Sequence, residues 1–258
     1  MPSPGRDEMR ETLLHDVLAV LGFFTRLPVS HRPHEGRTFL QALWATPLAG
    51  LAVALIGALV FWLADRLAVP HGPAAFLALA ATILATGCFH EDGLADVADG
   101  FGGGHTAERK LEIMKDSRVG SYGAIALILS VGLRWSALAA LEDAGEVFVA
   151  LVAAHCASRA LLPLFLRLVR PAREAGLAAG LSAIPPRTAG GALLIGLFAL
   201  MPLGLAAFFV ALPLLVAVFL FMRRLCIRQI GGQTGDVCGA LQQVGEISLL
   251  LLAAATFS

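Results

Sequence analysis

Long apolar runs alternate with short polar islands along this chain. Apolar residues dominate about 46–67, 74–90, 122–141, 147–168, 189–201, 204–222 and 244–258. A bilayer core takes about 20 such residues as helix. The run from Ala189 to Phe221 is too long for one ordinary span. Pro202 and Gly204 break it near the middle and Pro213 follows, which predicts two short, tilted or kinked helices. About seven spans result, with six as the alternative. Ahead of them Leu13, Leu14, Val17, Leu18, Val20, Leu21 and Phe24 recur at helical spacing, and Arg10, Glu11 and Asp16 take the other side. That pattern predicts an amphipathic helix lying along the membrane surface or packed under the bundle. The interrupted apolar stretch, with no small-residue cleavage site after it, does not suit a signal peptide.

Composition supports the same class. The 258 residues are 57% hydrophobic and 15% charged, whereas a soluble domain is about 45–50% apolar and about 25% charged. The expected fold is an all-α polytopic integral membrane protein, in one domain over residues 1–258, with no internal repeat or low-complexity linker. Net charge is zero, so no global basic field points to nucleic acid. Cys88, Cys156, Cys226 and Cys238 form no C-x-x-C pair and read as buried reduced thiols rather than a zinc or redox site.

Charge placement orients the spans. Arg6, Arg10, Arg26, Arg32 and Arg37 precede the first span, and Arg109, Lys110, Lys115 and Arg118 follow the second. Arg167, Arg170, Arg173 and Arg187 follow the fourth, and Arg223, Arg224 and Arg228 the sixth. The intervening turns are nearly free of cations, and Leu141 to Glu146 is acidic. Lys and Arg mark cytoplasmic loops, so the N-terminus and every polar motif are expected on the cytoplasmic side. Seven spans put the C-terminus outside.

The densest motif is "CFHEDGLADVADGFGGGH", Cys88 to His105. If residues 89–99 continue the second span as helix, Asp92, Asp96 and Asp99 fall at i, i+4 and i+7 on one face. Like charges so placed repel and call for a cation. Carboxylates at a membrane boundary suit a hard divalent ion, with magnesium the default; a solvated acidic helix end is the plain alternative. Gly93, Ala95 and Ala98 keep the helix narrow, as a ligand would require. His90 is placed to orient a carboxylate or act as a base. Lys115, Asp116, Ser117 and Arg118 follow, where cations can neutralise phosphoryl oxygens or anchor the chain on anionic lipid.

A second island, "QIGGQTGDVCGALQQVGE", runs from Gln229 to Glu246. Asp236 there is either a helix N-cap or a partner of the first cluster. Arg134, Arg159 and Glu246 fall inside predicted spans, where ionised residues face the bundle interior or a cavity. For Arg159, beside His155 and Ser158, an ion pair and phosphate binding are both open. Intramembrane charges with helices broken at Pro202 and Pro213 also suit a cation-coupled transporter, although the polar clusters crowd one face rather than the midplane.

Taken together, "FFTRLPV" (Phe23 to Val29), "HEDGLADVADGFGGG" (His90 to Gly104), "RKLEIMKDSRVGSYG" (Arg109 to Gly123), "ASRALLP" (Ala157 to Pro163) and "GGQTGDVCGALQQVGE" (Gly231 to Glu246) resemble the cobalamin synthase family. These are the adenosylcobinamide-GDP ribazoletransferases of bacterial inner membranes. The resemblance implies that a ribose hydroxyl of α-ribazole, or of its 5′-phosphate, attacks the phosphorus attached to cobinamide in adenosylcobinamide-GDP. GMP leaves, and adenosylcobalamin or its phosphate forms, with magnesium required. Under that reading Asp92, Asp96, Asp99, Asp116 and Asp236 are the expected metal ligands. Asp99 is the expected proton acceptor, with Asp96 and Lys115 beside it. Arg26, Lys115, Arg118, Arg159, Gln233 and Thr234 are expected on the substrate phosphates. The expected partners are the two substrates and the lipid bilayer, with a homo-oligomer allowed. CDP-alcohol phosphotransferases use helix-borne aspartates in a similar way and are the enzyme alternative, although the D-G-x-x-A-D run here lacks their Ala-Arg pair.

Overall fold

The computed structural model describes residues 6–29, 38–172 and 184–257. Arg32, Arg37 and Arg173 lie outside them. The described residues form helices α1 (Arg6–Phe24), α2 (Phe39–Ala42), α3 (Thr46–Arg66), α4 (His71–Thr86), α5 (Phe89–Gly103) and α6 (Ala107–Ile113). They continue as α7 (Ser121–Ala139), α8 (Ala144–Leu168), α9 (Pro186–Leu200), α10 (Leu205–Ile230) and α11 (Gly235–Phe257). No strand occurs among the described residues; a single bridge joins Pro171 to Gln233.

Among the described residues six helices are long and apolar enough to cross a membrane: α3 with the turns before it, α7, α8, α9, α10 and α11. The helices α4 and α5 reach the same length and apolarity only when taken together, and they are bent by 87° at the break between them. The fold is therefore the expected polytopic helical bundle. Its most enclosed span is α8, followed by α11, whereas α7, α9 and α10 turn most of their surface outward. Leu129, Phe198, Leu205 and Phe209 are exposed there, which suits lipid tails and not water. The long run breaks where Pro202 and Gly204 predicted, at a 3-10 turn (Met201–Leu203). Pro213 sits inside α10 without ending it.

Three expectations change. First, the second span does not continue to residue 99. Gly87 and Cys88 both take left-handed backbone, with φ of 64° and 60°. Gly87 closes α4 by donating its N–H to the Ile83 and Leu84 carbonyls. We therefore read α4 as the crossing, and α5 as a separate helix turned across one end of the bundle. Second, α10 runs on to Ile230, so Arg223, Arg224 and Arg228 ride on its last turns and not in a loop. Third, Asp16 is buried and accepts a 2.7 Å hydrogen bond from Trp44 Nε1, while Leu13 and Leu14 are exposed. The face of α1 expected to be polar thus includes a packed carboxylate.

The α4–α5 elbow, the start of α7, the end of α8 and the start of α11 gather at one end of the bundle. Arg170 O accepts from Gln233 N, and Gln233 O from Ala172 N, both at 2.9 Å, tying α8 to the α10–α11 connection. At the opposite end Trp135 Nε1 donates to Gly72 O at 2.8 Å, and Asp143 caps α8 through Gly145 and Glu146 N–H.

Candidate active site

The helix that carries the carboxylates packs between α7 and α11. Its small residues permit this: a Cβ on Gly93 would lie 2.8 Å from the Asp236 carbonyl oxygen and 3.1 Å from its Cα. Gly93 therefore admits the first turn of α11, not a ligand as expected, and this contact brings Asp236 to the acidic face of α5. Asp92 is exposed, Asp96 and Asp236 are half-buried, and Asp99 is buried. Asp96 reports their proximity. Its carboxyl is pushed up from 3.8 to about 7, first by desolvation and then by the charges of Asp92, Asp236 and Asp99.

Asp99 is engaged by backbone amides of the next span. Its Oδ2 accepts from Gly120 N at 2.7 Å and its Oδ1 from Gly123 N at 2.9 Å. Both oxygens hold the N-terminus of α7, where a carboxylate satisfies otherwise orphaned amides. Among the described residues no three His, Cys, Asp or Glu side chains converge closely enough to cage a metal ion. The donor chemistry nevertheless fits magnesium, which keeps several waters and is held by one or two carboxylates together with substrate phosphates. Asp92, Asp96 and Asp236 supply that kind of half-open oxygen face.

The other expected residues separate into groups. Asp116 is exposed and paired with Arg118, with Nη2 to Oδ2 at 2.6 Å and Nε to Oδ1 at 3.0 Å. Hydrogen bonds from Arg118 push the Asp116 carboxyl down to about 2. The pair lines a cleft of about 450 Å³ with Asp99, Gly120 and Tyr122. Lys115 is exposed in the same connection. Arg26 is exposed, its N–H donates to Ala85 O at 2.7 Å, and its side chain folds over Gly87 at the elbow. Thr234 is the residue that caps α11: Val237 N donates to its Oγ1 at 3.3 Å, and the hydroxyl donates to Asp236 Oδ2 at 3.1 Å. Gln233 is fully enclosed, with neither side-chain amide atom hydrogen-bonded.

Arg159 belongs to a buried ionic network. Arg134 Nη1 meets Glu91 Oε1 at 2.9 Å and Glu246 Oε1 at 3.0 Å. Arg159 Nη1 lies 3.7 Å from Glu246 Oε2 and 3.0 Å from His155 Nδ1. Gln243 Nε2 reaches Glu91 at 3.3 Å while its Oε1 accepts from Ser130 at 2.9 Å. Two guanidiniums thus face two carboxylates where each would be costly alone. Apolar surroundings marked Arg134, Arg159 and Glu246 in the sequence. Glu91, Gln243 and Ser130 were not assigned to this network, although the polar positions within α11 were a signal. His90 orients no carboxylate: its ring stacks on Phe24, 5.9 Å between centroids and 6° between planes.

Fold and site define a polytopic helical membrane protein with an acidic face, flanked by cations, at one end of its bundle. The family model described as cobalamin-5-phosphate synthase matches residues 16–254, and the chain belongs to that family. An adenosylcobinamide-GDP ribazoletransferase from Mesorhizobium japonicum is 52% identical over 246 residues, covering 95% of each chain. The protein of the same name from Bradyrhizobium diazoefficiens is 52% identical over 254 residues, 98% of this chain and 97% of its own. The one from Ralstonia nicotianae is 42% identical over 234 residues, 89% of this chain and 91% of its own. No solved structure matches the chain.

Proposed function

We propose that this protein joins adenosylcobinamide-GDP to α-ribazole or its 5′-phosphate, as an enzyme of cobalamin biosynthesis in a bacterial inner membrane. The observation that carries the site assignment is the crowding of Asp92, Asp96, Asp99 and Asp236 from two helices onto one face. A ribose hydroxyl forms the new O–P bond at the phosphorus bearing cobinamide, and the bond from that phosphorus to the GMP oxygen breaks. Asp92, Asp96 and Asp236 would hold Mg²⁺, which supplies charge neutralisation for the diphosphate and the leaving GMP. Asp96, flanked by the other three carboxylates, is best placed to accept the hydroxyl proton. Asp99, its oxygens already engaged, holds the start of α7 in position. Lys115, Arg118 and Arg26 supply cations for phosphate oxygens at the same end. Arg159 and Thr234 have structural partners and are not needed in this scheme, whereas the unpaired amide of Gln233 remains suited to substrate.

The site end faces the cytoplasm in this reading. Arg109, Lys115, Arg118, Arg170 and Arg187 are exposed there, as cytoplasmic cations are. The test is turnover by Asp92→Asn and Asp96→Asn proteins that still insert and fold. Loss of GMP release in both, with wild-type activity silenced by EDTA and restored by magnesium, is the expected result. Full activity in metal-free buffer would remove the metal from the scheme.

A further inference from the structure

A cavity of about 330 Å³ lies beside the acidic face, between α1, α2, α5, α8 and the first turns of α11. Its walls are almost wholly apolar: Phe23, Phe24, Phe39 and Phe89 with Leu162 and Leu166. His90 is the exception. It lines the cavity, is only 2% exposed, and neither ring nitrogen has a hydrogen-bond partner. A buried imidazole carries one donor and one acceptor when neutral. Leaving them unpaired away from water is unfavourable, so the group is expected to meet a partner in the working protein. An acyl chain would fill the space but leave the ring unpaired. A single water, at about 30 Å³, would leave most of the space empty.

Planar and aromatic surfaces already set the shape of this cavity. Phe24 and His90 lie parallel, and Phe89 stands edge-on to His90 with 88° between planes. Phe23 and Phe89 are partly exposed at the rim. Position adds the second constraint. His90 precedes Asp96 by six residues on α5, about 9 Å along the helix. Gly235 lines the cavity while its neighbour Asp236 stands at the acidic face. An occupant with a flat apolar head and a hydroxylated tail would put the head against the phenylalanines and the tail at the carboxylates.

We propose that this cavity seats the bicyclic nitrogen heterocycle of the nucleoside substrate, with His90 donating to its free ring nitrogen. The proposal rests on the reading of the chain as a ribazoletransferase and adds where the nucleoside base sits and what recognises it. His90 is a binding residue here and takes no part in the phosphoryl chemistry.

The test is steady-state GMP release by the full-length protein in detergent or nanodiscs, with α-ribazole varied at saturating adenosylcobinamide-GDP. His90→Phe keeps the aromatic fill and is expected to raise KM for α-ribazole by ~10-fold, the loss of one buried hydrogen bond, with kcat within about twofold. The KM for adenosylcobinamide-GDP is expected to stay unchanged. The indole riboside, with C–H in place of the free ring nitrogen, is expected to be ~10-fold poorer than α-ribazole for the wild type and equal to it for His90→Phe. His90→Gln, which retains an N–H donor, should keep the discrimination. Leu166→Phe narrows the cavity and should raise KM for both ribosides, so the test survives if His90→Phe fails to fold. Unchanged nucleoside KM values in His90→Phe and Leu166→Phe would overturn the proposal and give the cavity to a lipid chain. Absence of wild-type turnover would instead defeat the ribazoletransferase reading. Equilibrium dialysis of α-ribazole against wild type and His90→Phe then decides the cavity separately: equal binding overturns it.

Discussion

Replacing Asp96 with asparagine should stabilise the metal-free protein while abolishing its turnover. The folded carboxyl titrates near 7 and not at its ordinary 3.8, because it is partly desolvated and faces Asp92, Asp236 and Asp99. Between those two pH values the folded chain holds a proton that the unfolded chain has lost. Stability contributed by this group is therefore highest below about pH 4, falls as pH rises toward 7, and stays low above it. The gap corresponds to roughly 4 kcal/mol in full. Asp96 is only half-buried, and solvent screening reduces the penalty to about 1–2 kcal/mol. Asparagine carries no charge to crowd. In EDTA at pH 8 the variant should melt about 2–8 °C higher than the wild type, and the difference should shrink toward pH 4. Magnesium should raise the melting temperature of the wild type and leave that of the variant nearly unmoved. Thermal melts followed by tryptophan fluorescence at pH 5 and pH 8 read all of this. An Asp96→Asn protein that melts below the wild type at pH 8 in EDTA would refute the crowding of the four carboxylates.

Other substitutions probe the remaining parts. Asp236→Ser should sharply cut turnover and raise the magnesium requirement while costing less than about 1 kcal/mol, because Thr234 and not Asp236 caps α11; normal kinetics would remove Asp236 from the site. Glu246→Leu leaves Arg134 and Arg159 without the carboxylate they share and should cost about 3–5 kcal/mol in thermal or denaturant unfolding. A loss below about 1 kcal/mol would mean that solvent already screens the network. In a cysteine-free background, Gly103→Cys and Gly232→Cys should resist labelling from outside the cell while Asp143→Cys reacts; external labelling of Gly103→Cys would invert the topology.

The spans could be read from the sequence because a bilayer leaves a simple signature: long apolar runs, interrupted at Pro202 and Gly204 and sorted by arginine and lysine. The elbow after α4 could not, since Cys88 in left-handed backbone is rare for a non-glycine residue and apolar residues continue on both sides. The acidic cluster was legible as helical spacing on α5, and Asp236 as a polar residue bounded by glycines. What Asp99 does was not, because its partners Gly120 and Gly123 are defined only once α7 is packed. Asp16 misled for the same reason: its partner Trp44 lies outside α1. Gly93 was read as making room for a ligand, whereas the space is taken by the backbone of Asp236. Helical spacing fixes which residues share a face, but the neighbour across that face comes from tertiary packing.

The central claim is that the acidic face of α5 and α11 performs a metal-assisted transfer at the phosphorus attached to cobinamide. Its most direct test is GMP release by the purified full-length protein given adenosylcobinamide-GDP and α-ribazole, with magnesium and then with EDTA. The account predicts GMP and adenosylcobalamin in equal amounts, no GMP when α-ribazole is withheld, and none in EDTA until magnesium is restored. Ion-dependent uptake into proteoliposomes without any GMP release, or release that is indifferent to EDTA, would contradict it.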